Sequence, residues 1–202
     1  MSSGVHRADS PWYHTGMQKG NYAFIDSQNL NLGTQKMGWK MDWRKFRKLL
    51  LDKYNVTQAY MFIGHVPEFE DMYMQMHDLG FLVVLKPTQN LNKPVQDKPV
   101  DKSGEPEEKK PIKGNIDADL VLWTMREIAN YDKAIIVSGD GDFYGLIEFL
   151  QEQNKLLHIM APNWQYSSLL KPFENYIVRI DQMRRELAYF KHKKKPGAAP
   201  KS

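Results

Sequence analysis

One segment constrains the fold of this chain more than any other, Ile135 to Asp142 (IIVSGDGD). It is an uninterrupted apolar run that ends in a turn with two glycines and two aspartates. Because the run does not alternate with polar residues, a strand there would be buried on both faces, and Phe143 to Gln151 then follows the spacing of an amphipathic helix. Such units are typical of parallel α/β sheets, in which ligands bind beyond the carboxyl ends of the strands. The sequence therefore predicts that Asp140 and Asp142 lie at a binding edge.

A second apolar run ends in the same way. Tyr22 to Ile25 leads directly into Asp26, which is followed by Ser27, Gln28 and Asn29. Because parallel strands end at the same edge of a sheet, these two runs predict one shared acidic pocket.

The remaining pattern predicts six short strands that alternate with helices, and hence a three-layer αβα fold with a central, mostly parallel sheet. Strands are expected at 22–25, 57–63, 81–85, 134–137, 156–160 and 176–180. Helices are expected at 41–54 with Asp42 as a cap, 68–79, 117–130, 143–151, 166–173 and 182–190, and a loop at 33–38. Phe69, Met72, Tyr73 and Met76 form one helical face, which favours a core role over a ligand surface.

The domain organisation follows from shifts in composition. Residues 1–20 are expected to be a flexible leader, 21–181 a globular domain, and 182–202 a closing helix with a basic tail. A polar, proline-rich insertion at 86–114 interrupts the domain. Loops of this length are usually functional or disordered, so the insertion is a candidate for gating substrate or binding a protein partner.

Composition excludes several classes of protein. The chain has no cysteine, so disulfide scaffolds and thiolate metal sites are excluded, and a bound metal must rest on oxygen or imidazole. No apolar run reaches the roughly 20 residues needed to cross a bilayer, and the first residues do not form a signal peptide. A cytoplasmic protein that makes no membrane contact is therefore expected, while oligomeric state leaves no mark on the sequence.

Positive charge is concentrated at the C-terminal end. The net charge is +4, whereas five lysines near the C-terminus alone contribute +5, which leaves about −1 for the rest of the chain. These lysines are Lys191, Lys193, Lys194, Lys195 and Lys201. Such a tail can bind nucleic-acid phosphates by counterion release, although a solvated terminus without a partner is equally common.

Acidic residues recur at three separate places: Asp26, then Asp117 and Asp119 within GNIDAD, then Asp140 and Asp142. Carboxylates gathered at one edge repel one another. Burying them costs roughly several kcal/mol per ion unless a cation compensates their negative charge. A site for Mg²⁺ or Mn²⁺ completed by water and substrate phosphate satisfies this requirement, and it favours hydrolysis of a phosphodiester.

Each carboxylate also has a purely structural interpretation. Asp26, Asp140 and Asp142 are suited to turns and helix caps, and Asp117 to a helix N-terminus. Asp119 lies two residues after Asp117, about 200° around a helix, so it is expected at the surface rather than in the same pocket.

The motifs also resemble a known family. FIDSQNLN at Phe24 to Asn31, KGNIDADL at Lys113 to Leu120, and IIVSGDGDFYGLIEFLQEQNK at Ile135 to Lys155 resemble the NYN domain. NYN domains are a branch of the PIN-like metal-dependent ribonucleases, and the resemblance is to the LabA-like subgroup. It covers roughly Asn21 to Asp181 and implies a PIN-like fold that binds one or two Mg²⁺ or Mn²⁺ ions and cuts RNA.

The resemblance also implies residue roles. The metal-binding and catalytic positions of the family fall on Asp26, Asp117, Asp140 and Asp142, supported by Asn29 and Ser138. Lys113 is expected to meet an RNA phosphate, and the charge of the tail separately predicts the same role for Lys193, Lys194 and Lys195. One position departs from the family pattern, because many relatives carry a further acid where this chain has Trp123.

Three functions therefore remain open at the level of sequence. The first is a metal-dependent ribonuclease that acts on RNA, with single strands favoured. The second is a non-catalytic RNA- or protein-binding module on the same fold, for which Trp123 is the main support. The third is another Mg²⁺-dependent phosphotransfer or phosphatase activity on small phosphates, since paired aspartates recur on unrelated folds.

Overall fold

A computed structural model describes residues 19–86 and 116–190. Six strands form one sheet in which every neighbouring pair is parallel, in the order β3-β2-β1-β4-β5-β6. The strands are β1 (Asn21–Asp26), β2 (Val56–Gly64), β3 (Leu82–Lys86), β4 (Ala134–Val137), β5 (Leu156–Ala161) and β6 (Ile177–Arg179). The predicted α/β fold is confirmed, and the sheet is parallel throughout.

Helices follow the strands along the chain. They are α1 (Ser27–Lys36), α2 (Trp43–Tyr54), α3 (Glu70–Asp78), α4 (Ile116–Arg126), α5 (Tyr144–Glu152) and α6 (Arg184–Leu187). Short 3₁₀ turns occupy Pro67–Phe69, Gly141–Phe143, Ser168–Tyr176 and Ile180–Met183.

The core consists of two apolar layers, one on each face of the sheet. Within β1, Ala23 and Ile25 join the layer that packs on α2, whereas Phe24 points to the layer that packs on α4 and α5. Residues 134–137 of β4 divide in the same way and are all fully buried. Alternation between two buried layers explains why these strands read as continuous apolar runs.

Asp42 begins α2 as predicted, because its side chain accepts hydrogen bonds from the backbone nitrogens of Arg44 and Lys45 at 3.1 and 3.2 Å. At the other end of α2, Asn55 adopts the left-handed conformation with φ 50°, a common way to end a helix.

Helix α1 replaces the loop that was expected at 33–38. Asp26 caps this helix, and Leu30 and Thr34 bury one narrow stripe of it. The rest of the segment is polar and contains Gly33, so its apolar periodicity was too weak to predict a helix.

The closing helix is also shorter than predicted. Instead of a helix over 182–190, α6 ends at Leu187, and Ala188 forms an antiparallel bridge with Met41. Tyr189 then donates its backbone N–H to the Lys40 carbonyl at 2.9 Å. Tertiary pairing with the segment before α2 therefore overrides the local helical pattern.

The predictions for most of the leader, most of the 86–114 insertion and the basic tail lie outside the described residues.

Two helical glycines provide a matched test of this packing. A Cβ on Gly33 would lie 2.4 Å from the Pro162 Cβ, whereas one on Gly145 in α5 would meet nothing within 4 Å. We expect Gly33→Ala to destabilise the protein by about 1–3 kcal/mol through overpacking. Gly145→Ala should stabilise it by about 0.5–1 kcal/mol, since alanine is the better helix former. Denaturant unfolding of both variants measures the two changes, and equal effects would contradict the described contact between α1 and Pro162.

Candidate functional site

The candidate site lies where the direction of the chain across the sheet reverses. The chain passes from β1 through β2 to β3 on one side and then returns to β4 on the other side of β1. Such a switch point leaves a crevice beyond the carboxyl ends of the two central strands. Asp26 is the last residue of β1, and Ser138 directly follows β4, so both lie at this crevice.

Asp26 is a buried carboxylate, only 6% exposed. Its Oδ1 accepts the backbone N–H of Asn29 at 2.9 Å, and its Oδ2 accepts the Ser138 hydroxyl at 3.3 Å. Burial raises the pKa of Asp26, and the negative charges of Asp117 and Asp140 raise it further, against the opposing effect of the two hydrogen bonds. Burial and the two neighbouring carboxylates therefore both disfavour the ionised form of Asp26.

Residues 138–140 are held against α1 by side-chain hydrogen bonds. The Ser138 hydroxyl also accepts the backbone N–H of Asp140 at 3.2 Å. Asn29 Oδ1 accepts the backbone N–H of Gly139 at 2.9 Å. Because Asn29 and Asp26 both belong to the junction between β1 and α1, this junction fixes the position of the acidic turn after β4.

Asp140 and Asp142 differ in their surroundings. Asp140 is partly buried, and its Oδ1 accepts the backbone N–H of Asp142 at 3.1 Å, so it caps the 3₁₀ turn that follows. The side chain of Asp142 is exposed. The structure thus places Asp140 beside Asp26, with Asp142 at the outer lip of the site.

Helix α4 brings in the third acidic segment. Asp117, in its first turn, is partly buried and close enough to Asp26 for its charge to act on that carboxylate. Asp119 is directed elsewhere, because it forms an ion pair with Lys86 at the end of β3, at 2.9 Å. The two residues therefore diverge as the helical spacing predicts, but Asp119 is partly buried in that pair rather than simply at the surface.

Trp123 belongs to the packing between α4 and the sheet. Its ring lies 5.4 Å from the ring of Tyr60 on β2, and the Arg126 guanidinium lies 4.9 Å from it. Six residues of helix separate Trp123 from Asp117 by about 9 Å along the axis.

A recess with both polar and apolar lining residues adjoins the site on the side of β5. It has a volume of about 210 Å³, and its lining includes Asn29, Lys36, Asn163 and Tyr166. Asn163 is buried and donates to the Gly33 carbonyl at 2.9 Å. Sequence analysis did not single out these later residues, although Pro162 and Asn163 follow the apolar strand β5 as polar residues follow β1 and β4.

Comparison with known proteins decides the family. The NYN domain matches residues 22–180, which is most of the chain. This chain belongs to the NYN domain family. Membership places the switch-point site in a PIN-like nuclease fold and agrees with the resemblance seen in the motifs.

Two relatives extend the comparison. The NYN chain is 23% identical over 171 residues to the Low amplitude and bright protein LabA of Synechococcus elongatus, covering 80% of this chain and 83% of that protein. It also superposes on a crystal structure of a protein of unknown function from Vibrio parahaemolyticus with a TM-score of 0.62. That pair is 22% identical, covers 86% of this chain and 99% of the other, and supports the fold alone.

The donor set of this NYN domain suits a hard cation. Carboxylate oxygens are the ligands that Mg²⁺ and Mn²⁺ prefer. The pKa of Asp26 is raised first by burial and then by the negative charges of Asp117 and Asp140, and a bound cation would oppose both effects. Within 19–86 and 116–190, no three His, Cys, Asp or Glu side chains are grouped so as to hold one ion. Since Mg²⁺ needs only one or two carboxylates plus water and substrate oxygens, the pocket fits an ion completed by substrate rather than a closed protein cage.

The lysines that were predicted to contact RNA are not part of the described site. Lys113, Lys193, Lys194 and Lys195 lie beyond the described residues. Every helix within 19–86 and 116–190 is too short or too polar to span a lipid bilayer.

Neutralising the buried carboxylate should stabilise the metal-free protein. Because folding raises the pKa of Asp26 from its ordinary value of 3.8, the folded state binds the proton more tightly than the unfolded chain. Stability therefore falls as pH rises from 3.8 through the folded-state pKa. Asp26→Asn keeps an acceptor for Asn29 and removes the charge, so we expect a gain on the order of 1 kcal/mol at neutral pH, or about 3 °C in Tm.

Thermal unfolding in EDTA measures this gain near neutrality and again at the lowest pH at which the protein stays folded. The gain should shrink as the pH falls, since wild-type Asp26 is then protonated. A variant that is less stable than wild type at neutral pH would show that the hydrogen bonds of Asp26 outweigh its charge burial.

Proposed function

We propose that this protein is a metal-dependent ribonuclease that hydrolyses phosphodiesters of single-stranded RNA. The observation that carries the proposal is the convergence of Asp26, Asp117 and Asp140 at one switch-point crevice, from three distant segments of an NYN domain. Carboxylates that lie near a buried carboxylate such as Asp26 repel it, and a divalent cation would offset this repulsion. Mg²⁺ or Mn²⁺ is the proposed cofactor.

The residues around the crevice would have distinct roles in metal binding and catalysis. Asp26 and Asp140 would hold one or two ions from β1 and from the turn after β4, and Asp117 from the start of α4, with each ion bound directly by only one or two carboxylates and otherwise by water. A bound ion would offset the charge that develops on the phosphate and promote ionisation of the attacking water. Asn29 and Ser138 keep the acidic turn in place through their hydrogen bonds to Gly139 and Asp140. Asp142, at the exposed lip, would complete the ligand set on the substrate side.

The surroundings of the site favour a polymeric substrate over a small phosphate. Recesses of about 210 and 380 Å³ lie on the two sides of α1, and both reach residues next to the acidic centre. A strand that crosses the centre would find space on either side of the cleaved bond. Lys113 and the lysines 193–195 are proposed to bind the RNA backbone, and the 86–114 insertion to bind substrate or a protein partner.

One observation favours a second function, a non-catalytic module that binds RNA or protein. By the resemblance to the NYN motifs, Trp123 stands where many relatives carry an additional acid, and its ring is packed against Tyr60. A site with one ligand fewer would hold metal more weakly, so metal binding and cleavage must be measured separately.

The decisive experiment is cleavage of a labelled, unstructured RNA with Mn²⁺, with Mg²⁺ and with EDTA. We expect metal-dependent cutting that Asp140→Asn reduces by more than about 100-fold, beyond the roughly 10–100-fold typical for loss of an outer hydrogen-bond partner. The variant should remain folded because its amide oxygen can still accept the Asp142 N–H that Asp140 accepts at 3.1 Å.

Asp132→Asn is the matched control. Asp132 is exposed and precedes β4, at the edge of the sheet opposite the candidate site, so its replacement should leave cleavage unchanged. Mn²⁺ should also raise the Tm of wild type more than that of Asp140→Asn. Metal binding without cutting would favour the non-catalytic module, and cutting of mononucleotides but not of oligomers would favour a phosphatase.

Removal of the basic tail tests the proposed backbone contacts. Truncation after Phe190 deletes all five lysines of the tail. If each contacts a phosphate, the slope of log K against log salt for a single strand should flatten by up to about 3.5, at roughly 0.7 per contact. RNA binding by the Asp140→Asn protein, with and without the tail, measures the slope. An unchanged slope would exclude the tail as an RNA contact.

A further inference from the structure

A groove on the β2 side of α1 opens beside the acidic centre. Its volume is about 380 Å³, and it lies between α1, the carboxyl end of β2 and α3. Ser27 and Ile116 both line it, and they are the immediate chain neighbours of Asp26 and Asp117. The groove therefore lies next to the crevice that contains these carboxylates.

One wall of the groove is apolar and partly exposed. Phe69 is 52% exposed, although the sequence pattern placed it on a core-facing stripe with Met72, Tyr73 and Met76. Tyr73 and Met76 are buried as that pattern predicts, whereas Phe69 lies in the 3₁₀ turn before α3 and lines the groove. An accessible aromatic side chain beside a phosphodiester site is suited to stacking on a base.

The opposite wall, on α1, carries amides. Gln28 and Asn31 both line the groove, one helical turn apart. Asn31 Oδ1 accepts from Gln35 at 3.1 Å, and its amide nitrogen donates to no other described residue. Gln28 forms no side-chain hydrogen bond within the described residues, so both amides can pair with the polar edge of a ligand whose faces contact the apolar wall.

We propose that this groove binds one nucleobase of the RNA strand whose phosphodiester lies at the acidic centre. The inference rests on the proposed function and adds a base-specificity subsite to it. A base combines apolar faces with donors and acceptors at its edge, which matches the two walls, and the volume is at the small end of ligand pockets, roughly 300–1,000 Å³. An RNA strand whose phosphodiester lies at the carboxylates would place a base next to that bond at the mouth of the groove.

The test uses binding of short RNA oligomers in the Asp140→Asn background with Mg²⁺, so that the strand stays intact. Phe69→Ala should weaken binding by about 5- to 150-fold, the range of one lost stacking contact. Phe69→Tyr keeps the ring and should restore most of the affinity. Met74→Ala is the matched control, because Met74 is 60% exposed on α3 but does not line the groove, and it should bind RNA like the parent.

Oligomers with a single abasic site at successive positions then locate the contact. At one position, removing the base should weaken binding to the parent protein as much as Phe69→Ala weakens binding of the intact oligomer. Removing that same base should then cause no further loss of affinity in the Phe69→Ala protein. Gln28→Ala should relax the preference among A, C, G and U at that same position.

The outcomes separate the two proposals. If the Phe69→Ala protein binds every oligomer as tightly as the parent, the groove is not a base site. The same holds if the affinity lost by Phe69→Ala and the affinity lost by removing a base multiply at every position of the oligomer. In either case the groove would suit a protein partner instead. Metal-dependent cleavage by the wild type in that case would leave the ribonuclease proposal intact. Failure of the Asp140→Asn protein to bind RNA at all would overturn the base site, whereas a wild type that binds RNA but never cuts would overturn only the catalytic proposal.

Discussion

The burial of one negative charge at the end of β1 organises this site. Asp26 is 6% exposed and lies near two further carboxylates, so its ionised form is disfavoured by burial and by repulsion. Its two oxygens nevertheless hold the start of α1 and the turn after β4 in place. The local structure therefore depends on a group whose charge the described protein does not compensate, and a cation is the simplest source of compensation.

The parallel sheet explains how distant residues reach this charge. Because β1 pairs with both β2 and β4, the segment that ends in Asp26 lies beside a strand that begins more than a hundred residues later. The sequence predicted the strands well, since each is an apolar run buried on both faces. The apolar runs did not predict the strand order, because the pattern within a strand does not show which strands are its neighbours. The helix α1 was missed because only Leu30 and Thr34 of its residues are buried.

The candidate site was partly visible in the sequence for a related reason. Acids that directly follow buried strands must lie at the edge of a parallel sheet, so Asp26 and Asp140 could be predicted to meet. The hydrogen bond between Asn29 and Gly139 depends on how the first turn of α1 is placed against the turn after β4, which periodicity does not encode. For Phe69 the sequence predicted burial, whereas the side chain is exposed. It shares the spacing of Tyr73 and Met76 but precedes α3, and a stripe of apolar residues does not reveal where the covering layer ends.

The structural and chemical interpretations of the aspartates turn out to be compatible. Asp26 caps α1 and Asp140 caps a 3₁₀ turn, so both are the turn and cap residues that a cautious interpretation of the sequence predicts. Capping, however, requires only an acceptor oxygen, which a neutral asparagine also provides. At a buried position beside other carboxylates, the charged residue is the less stable way to cap a helix. The proposed cation would account for an aspartate at this position, and this argument for the proposal is independent of the family to which the chain belongs.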